Sequence, residues 1–139
     1  MMMVGRYSHT IDQKGRIFVP VKLRGVLGET FIVARVLNRC ITVYPMAEWE
    51  RFSQEIEANT KLSDDGPDIR HIVFSNAEEV SVDSQGRILL PKHLIAYAEL
   101  QKNALFVGNG SCAEIWDPET FETIGRTELT REDLRAHGM

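Results

Sequence analysis

Hydrophobic and polar positions alternate near the start of the chain, where Tyr7, His9 and Ile11 interleave with Ser8, Thr10 and Asp12. A period of two predicts a strand with one face buried, and Arg16–Val19 predicts a second, more fully buried strand. Between them Asp12-Gln13-Lys14-Gly15 has the chemistry of a turn. Asp suits the first position of a type I turn, and Gly takes the left-handed conformation that closes a three-residue hairpin loop with a bulge. Pro20 fits the first helical position, where its missing N–H costs nothing, so a short helix is expected from there to about Gly28. Strands are predicted over Phe31–Val36 and Cys40–Tyr44. After Pro45 the period becomes helical, with Trp49, Phe52 and Ile56 on one face and acidic residues between them. Such an aromatic stripe packs a core more readily than it holds a cofactor. The polar stretch Thr60–Pro67, with Asp65-Gly66-Pro67, reads as a linker, and Ile69–Phe74 as a short helix.

The pattern then begins again. Ile11–Arg24 (IDQKGRIFVPVKLR) returns 71 residues later as Val82–Ile95 (VDSQGRILLPKHLI), identical at six of fourteen positions. At a spacing of 72, Cys40 matches Cys112, Val43 matches Ile115, Tyr44 matches Trp116 and Trp49 matches Phe121. The second half therefore repeats the turn at Asp83-Ser84-Gln85-Gly86, a helix from Pro91 to about Leu100, strands over Ala104–Val107 and Ala113–Trp116, and a helix after Asp117-Pro118. Thr130 and Asp133 form a capping pair for a last helix, Arg131–Ala136. Each half is too short for a robust core of its own, so the two are expected to share one about a pseudo-twofold axis. The fold class expected is α+β: tandem β-hairpin/helix units forming one pseudo-twofold, β-barrel-like domain with flanking helices. Its parts are a first repeat over 4–59, a linker and short helix over 60–75, a second repeat over 76–125 and a tail helix over 126–139, all within a single 1–139 unit.

Composition adds limits. With 139 residues, 43% hydrophobic and 26% charged, the chain has the make-up of one ordinary globular unit. Its apolar runs fall far short of the roughly 20 residues of a membrane helix, and Met1–Tyr7 has no signal-peptide core, so a cytoplasmic location without a membrane partner is expected. Two cysteines, Cys40 and Cys112, are too few and too far apart for a disulfide framework or a zinc site. The net charge of −4 argues at first against an acidic partner, but it hides an asymmetry. Residues 1–45 carry seven Lys/Arg against two acidic residues, a balance of +5, whereas residues 46–80 carry nine acidic against three basic, a balance of −6. A basic surface set apart from acidic helices can meet an anion while the whole molecule stays soluble.

The candidate chemistry lies at the two turns. Asp12 and Arg16 face one another across the first loop mouth, with Cβ atoms about 5 Å apart, and Asp83 and Arg87 do so across the second. An exposed Asp–Arg pair that merely steadies a turn contributes about 0–1 kcal/mol. Turn chemistry accounts for Asp and Gly but does not require Arg, so on the residues alone a steadied turn and a binding tip both stand. For binding, an arginine fork at a protruding tip takes a phosphate bidentately or reaches guanine O6 and N7, and a two-stranded ribbon fits the DNA major groove. Lys14, Lys22 and Arg24 would then supply phosphate contacts.

At these residues the chain resembles the MraZ family of bacterial transcriptional regulators, within the wider AbrB-like swapped-hairpin superfamily. The resemblance spans nearly the whole chain: Asp-x-x-x-Arg twice, each in a GR-x-x-x-P string, then RCITVYPMAEWE from Arg39 and AEIWDPETFE from Ala113. It implies a cytoplasmic, nucleoid-associated regulator that binds double-stranded DNA as a ring-shaped homo-oligomer. The ring would recognise direct repeats upstream of the division and cell-wall gene cluster, including the regulator's own promoter. By that analogy Asp12, Arg16, Asp83 and Arg87 contact DNA. Two positions depart from the family pattern: Ile95 replaces the arginine that Arg24 supplies in the first half, and His71 stands where arginine is usual. A weaker second half is therefore expected, with Arg16→Ala costing more affinity than Arg87→Ala.

Two other functions explain the paired arginine tips less well. For an enzyme, His9, His71, His93, His137 and the cysteines show no metal or nucleophile–base spacing, and no Gly-rich phosphate loop or GxSxG string occurs. No cofactor, metal, catalytic residue or small-molecule substrate is expected, and Cys40 reads as a small buried hydrophobe. An antitoxin-like protein-binding module of the same fold would carry one hairpin unit and a long tail, whereas here the second half repeats the fold.

Overall fold

The computed structural model describes residues 2–36, 39–125 and 128–139. The first half contributes β1 (Arg6–Thr10), β2 (Arg16–Phe18), α1 (Val21–Leu27), β3 (Thr30–Ala34), β4 (Ile41–Pro45) and α2 (Met46–Thr60). Helix α3 (Gly66–Ser75) leads to the second half, with β5 (Glu78–Ser81), β6 (Arg87–Leu89), α4 (Lys92–Tyr97), β7 (Asn103–Asn109), β8 (Cys112–Trp116) and α5 (Pro118–Ile124). A last helix, α6 (Arg131–Ala136), carries the expected capping box between Thr130 and Asp133. Two residues of the expected tail, Arg126 and Thr127, and Met1 lie outside the described residues.

The turns form as expected, but the arms that leave them do not stay together. Past each loop mouth the strands part: β1 pairs antiparallel with β7 of the other half, and β5 pairs with β3. Only the bridge Ile11↔Ile17 remains of the first local hairpin ladder. The exchange lets the arms of each hairpin reach opposite sides of a shared core, which two separate hairpins of this length would not enclose. The six-stranded sheet has the order β1-β7-β8-β4-β3-β5, which reads the same when the halves are interchanged. At its centre Thr42 pairs with Glu114, and in the separate β2–β6 ribbon Ile17 pairs with Ile88, each residue facing its own repeat-equivalent. These two self-pairings mark the pseudo-twofold axis.

The ladders among the described residues form this open sheet and the ribbon and do not close into a barrel, which corrects the barrel-like expectation. The ribbon strands are three residues long, and the amides beyond them are taken by the opposite loops, Leu90 N–H donating to Gly15 O and Val19 N–H to Gly86 O at 2.9 Å each. Little is left with which to pair the sheet edges. The core is built from both halves: Ile17, Leu23, Phe31 and Val33 meet Ile88, Leu94, Phe106 and Ile115, none more than 1% exposed. Burial of each such side chain contributes roughly 1.5–3 kcal/mol, so neither half holds its own core without the other.

Three local readings shift. Pro20 and Pro91 are N-cap residues in extended backbone, one place before the first helical position. The linker ends early because α3 starts at Gly66, with Pro67 in the first turn, where the missing N–H has no partner to lose. The stripe of α2 stays half-buried outside the shared core, Tyr44 stacking on Phe52 at 5.4 Å and Trp49 meeting Phe74 of α3 edge-on at 6.0 Å. None of the helices among the described residues is long and apolar enough to cross a membrane.

Candidate nucleic-acid interface

Each tip is built by one aspartate. Asp12 Oδ1 accepts from the backbone N–H groups of Lys14 and Arg16 at 3.0 and 2.9 Å, while its Oδ2 accepts from Arg16 Nε at 2.7 Å. Asp83 repeats the arrangement with Gln85 N–H, Arg87 N–H and Arg87 Nε at 2.9, 2.9 and 3.1 Å. Gly15 and Gly86 close the loops at φ +87° and +84°, a backbone that residues with a Cβ rarely adopt. The Arg16 backbone N–H, aided by its side chain and by Lys14 N–H, holds the Asp12 carboxyl below the usual carboxylate range. The Arg87 backbone N–H does the same for Asp83, aided by Gln85 N–H and the Arg87 side chain. Both aspartates stay charged at neutral pH and fix the Nε edge of their arginines, which leaves the Nη groups as the forward edge.

The ribbon sets both arginines on one face. In β2–β6 the cross-strand pairs are Arg16↔Leu89, Ile17↔Ile88 and Phe18↔Arg87. Paired residues share a face and neighbours alternate, so Ile17 and Ile88 point into the core while Arg16, Phe18, Arg87 and Leu89 make up the outward face. Arg16 and Arg87 are then diagonal neighbours, about 7–8 Å apart. The two tips thus form one surface, with the Arg16 side chain 33% exposed and that of Arg87 19% exposed.

Strand exchange also crosses the flanking groups over. Arg24, in the first half, lies on the second tip: its Nε donates to Val19 O at 3.0 Å and an Nη to Gly86 O at 3.4 Å. A Cβ at Gly86 would come within 2.2 Å of that guanidinium. Ile95, which replaces the arginine in the second half, lies instead on the first tip, its Cδ1 3.5 Å from where a Gly15 Cβ would be. Arg24 is therefore a brace on two backbone carbonyls. Lys14 is exposed at the first tip and Lys22 is exposed on α1. Lys92, which the sequence reading passed over, lines the same groove as Lys14. The repeat aligns it with Val21, and only the crossing brings it to the first tip. The other departure, His71, lines a groove between α2 and α3 with Glu57 and Phe74, to which no tip residue contributes.

His9 sits half-buried in edge strand β1, edge-on to Phe106 at 6.0 Å. Burial, and then the Arg24 charge, hold its pKa below the ordinary imidazole value, which keeps the ring neutral beside the brace. Cys40 is fully buried, and burial pushes its thiol up to about 12, an unreactive value. No group of three or more His, Cys, Asp and Glu among the described residues is placed to hold a metal ion.

Fold and tips together define a class: a duplicated, strand-exchanged hairpin protein that presents two aspartate-held arginines on one ribbon. The family described as "MraZ protein, putative antitoxin-like" matches residues 2–66 and 73–137. Transcriptional regulator MraZ of Caldanaerobacter subterraneus subsp. tengcongensis is 35% identical over 137 residues, 98% of this chain and 96% of that protein. The regulator of the same name from Carboxydothermus hydrogenoformans is 43% identical over 118 residues (85% and 82%), and that from Clostridium tetani is 35% identical over 133 (96% and 94%). The chain belongs to the MraZ family, a family of transcriptional regulators and not of enzymes.

Proposed function

We propose that the protein is a sequence-specific, DNA-binding transcriptional regulator that binds direct repeats upstream of the division and cell-wall gene cluster, including its own promoter. The observation that carries this reading is the shared outward face of the ribbon, where Arg16 and Arg87 stand as diagonal neighbours with their Nε edges held by Asp12 and Asp83. An arginine oriented in this way offers its fork to guanine O6 and N7 in the major groove, and a ribbon of two strands fits that groove. Lys14 and Lys22 serve as phosphate contacts, which supply affinity and salt dependence without sequence choice. Arg24 belongs to the interface as the brace of the second tip. The chain works as a single unit of two repeats, 4–59 and 76–125, in the cytoplasm and on the nucleoid. Subunits assembled in a ring would hold several weak tips at fixed spacing, so that repeats are bound at high effective concentration.

The test is fluorescence anisotropy with DNA from directly upstream of the protein's own gene and a shuffled control, at two salt concentrations, for wild type and Arg16→Ala. Preference for the upstream fragment, lost in the variant, is the expected result. Equal, salt-sensitive binding to both fragments would reduce the surface to a phosphate-binding face. Light scattering that found only monomer at micromolar concentration would remove the ring. An antitoxin-like role, named in the family description, is the second reading. Co-purification with a small partner protein, without DNA preference, would favour it.

A further inference from the structure

Only four side chains make up the outward face of the β2–β6 ribbon, and two of them are apolar. Phe18 is 45% exposed and Leu89 59%, although the opposite face of the same strands is closed by Ile17 and Ile88. A sheet with one solvated face ordinarily alternates apolar-in and polar-out, and Arg16 and Arg87 keep that rule. Phe18 and Leu89, which occupy equivalent positions in the two repeats, both break it. Each is also the cross-strand partner of a tip arginine, Arg16↔Leu89 and Phe18↔Arg87, which gives a checkerboard of two cations and two hydrophobes about the pseudo-twofold axis.

A second copy of the ribbon is a poor occupant for this face, since it would close four arginines into one contact. The floor of the DNA major groove is a good one: it offers guanine O6 and N7 to an arginine and the thymine C5-methyl group to an apolar side chain, side by side. We propose that Phe18 and Leu89 are specificity-determining residues that read thymine methyl groups next to the guanines taken by Arg16 and Arg87. This rests on the DNA-binding reading above and deepens it. Methyl contact at both side chains makes the preferred site mixed, guanine for the cations and thymine for the hydrophobes.

The experiment compares the upstream duplex with the same duplex in which every thymine is replaced by deoxyuridine, which removes the methyl groups and keeps the hydrogen-bonding pattern. Wild type is expected to bind the deoxyuridine duplex about fourfold more weakly for each methyl contacted. Phe18→Ser/Leu89→Ser is expected to bind both duplexes equally. Because both side chains are exposed, the variant should fold, and Phe18→Ala and Leu89→Ala singly should each remove part of the discrimination. Discrimination by the double variant equal to that of wild type would overturn the proposal, as would equal binding of the two duplexes by wild type. A change of oligomeric state with the thymine preference intact would overturn it in favour of a subunit contact. Failure of wild type to prefer the upstream thymine duplex over its shuffled control would instead count against the DNA-reading function itself.

Discussion

The two tips have the same hydrogen-bond plan and different surroundings. The first carries Gln13-Lys14, holds its arginine at 2.7 Å with a third of the side chain exposed, and rests against apolar Ile95. The second carries Ser84-Gln85, holds its arginine at 3.1 Å with less of it exposed, and lies under the Arg24 guanidinium. Read along the chain, Arg24 enriches the first half in positive charge. In space the brace crosses to the second tip, so the arginine and its replacement each act on the other half. A duplicated fold is thereby made chemically unequal, and on the proposed function an unequal pair of tips would have a direction along DNA, which would suit direct repeats better than palindromes.

The comparison is broken most sharply by removing the arginines themselves. Arg16→Ala is expected to lower affinity for the upstream fragment by about 1–3 kcal/mol, roughly five- to 150-fold, and Arg87→Ala by less, in anisotropy titrations. Equal losses would mean that the greater exposure of Arg16 has no bearing on recognition.

Next come the loop glycines, tested by urea unfolding. Gly15→Ala and Gly86→Ala each force a Cβ into positive φ, at about 1–2 kcal/mol. Gly86→Ala is expected to cost more, because the new methyl also displaces the Arg24 brace, and the excess should vanish in an Arg24→Ala background. Persistence of the excess without Arg24 would place its cause elsewhere.

Salt dependence sharpens the roles of the flanking cations. Lys22→Ala should lower the slope of log K against log salt by about 1, as for a lost phosphate contact, whereas Arg24→Ala should leave the slope nearly unchanged. A matching change for Arg24→Ala would return that residue to the phosphate contacts.

The smallest effect is that of pH. Asp12 and Asp83 are depressed in the folded protein, chiefly by the backbone N–H groups of Arg16 and Arg87. Their contribution to stability is therefore complete above the ordinary aspartate pKa of about 3.9 and is lost as pH falls through their lower folded values. Carboxylate NMR titration should show both midpoints below that of an aspartate in an unstructured peptide. Ordinary midpoints would mean that the loops are open in solution.

Much of this was legible in the residues. Asp12, Gly15, Asp83 and Gly86 announce their loops because turn geometry demands those side chains, and Thr130 with Asp133 announces its cap for the same reason. Tyr7, His9 and Ile11 show that β1 has a buried face, but alternation says which face is buried and is silent on which strand lies alongside. Periodicity alone does not reach the pairing of β1 with β7, which the resemblance to a swapped-hairpin superfamily implies only in outline, and the positions of Arg24, Ile95 and Lys92 depend on the details of that exchange. The closed barrel fails for the same reason: two hairpins predict strands enough to close, but not which acceptors their amides find.

The strand exchange has a consequence for the chain as a covalent object. Among the described residues four of the six strand ladders, β1–β7, β2–β6, β3–β5 and β4–β8, join one half to the other, and the segment 61–65 between α2 and α3 is exposed throughout. The peptide link is thus a tether that keeps two complementary fragments at high local concentration, while the ladders and the shared core hold them together. A protease cut in that segment should leave a particle of unchanged size that separates into two polypeptides only on denaturation.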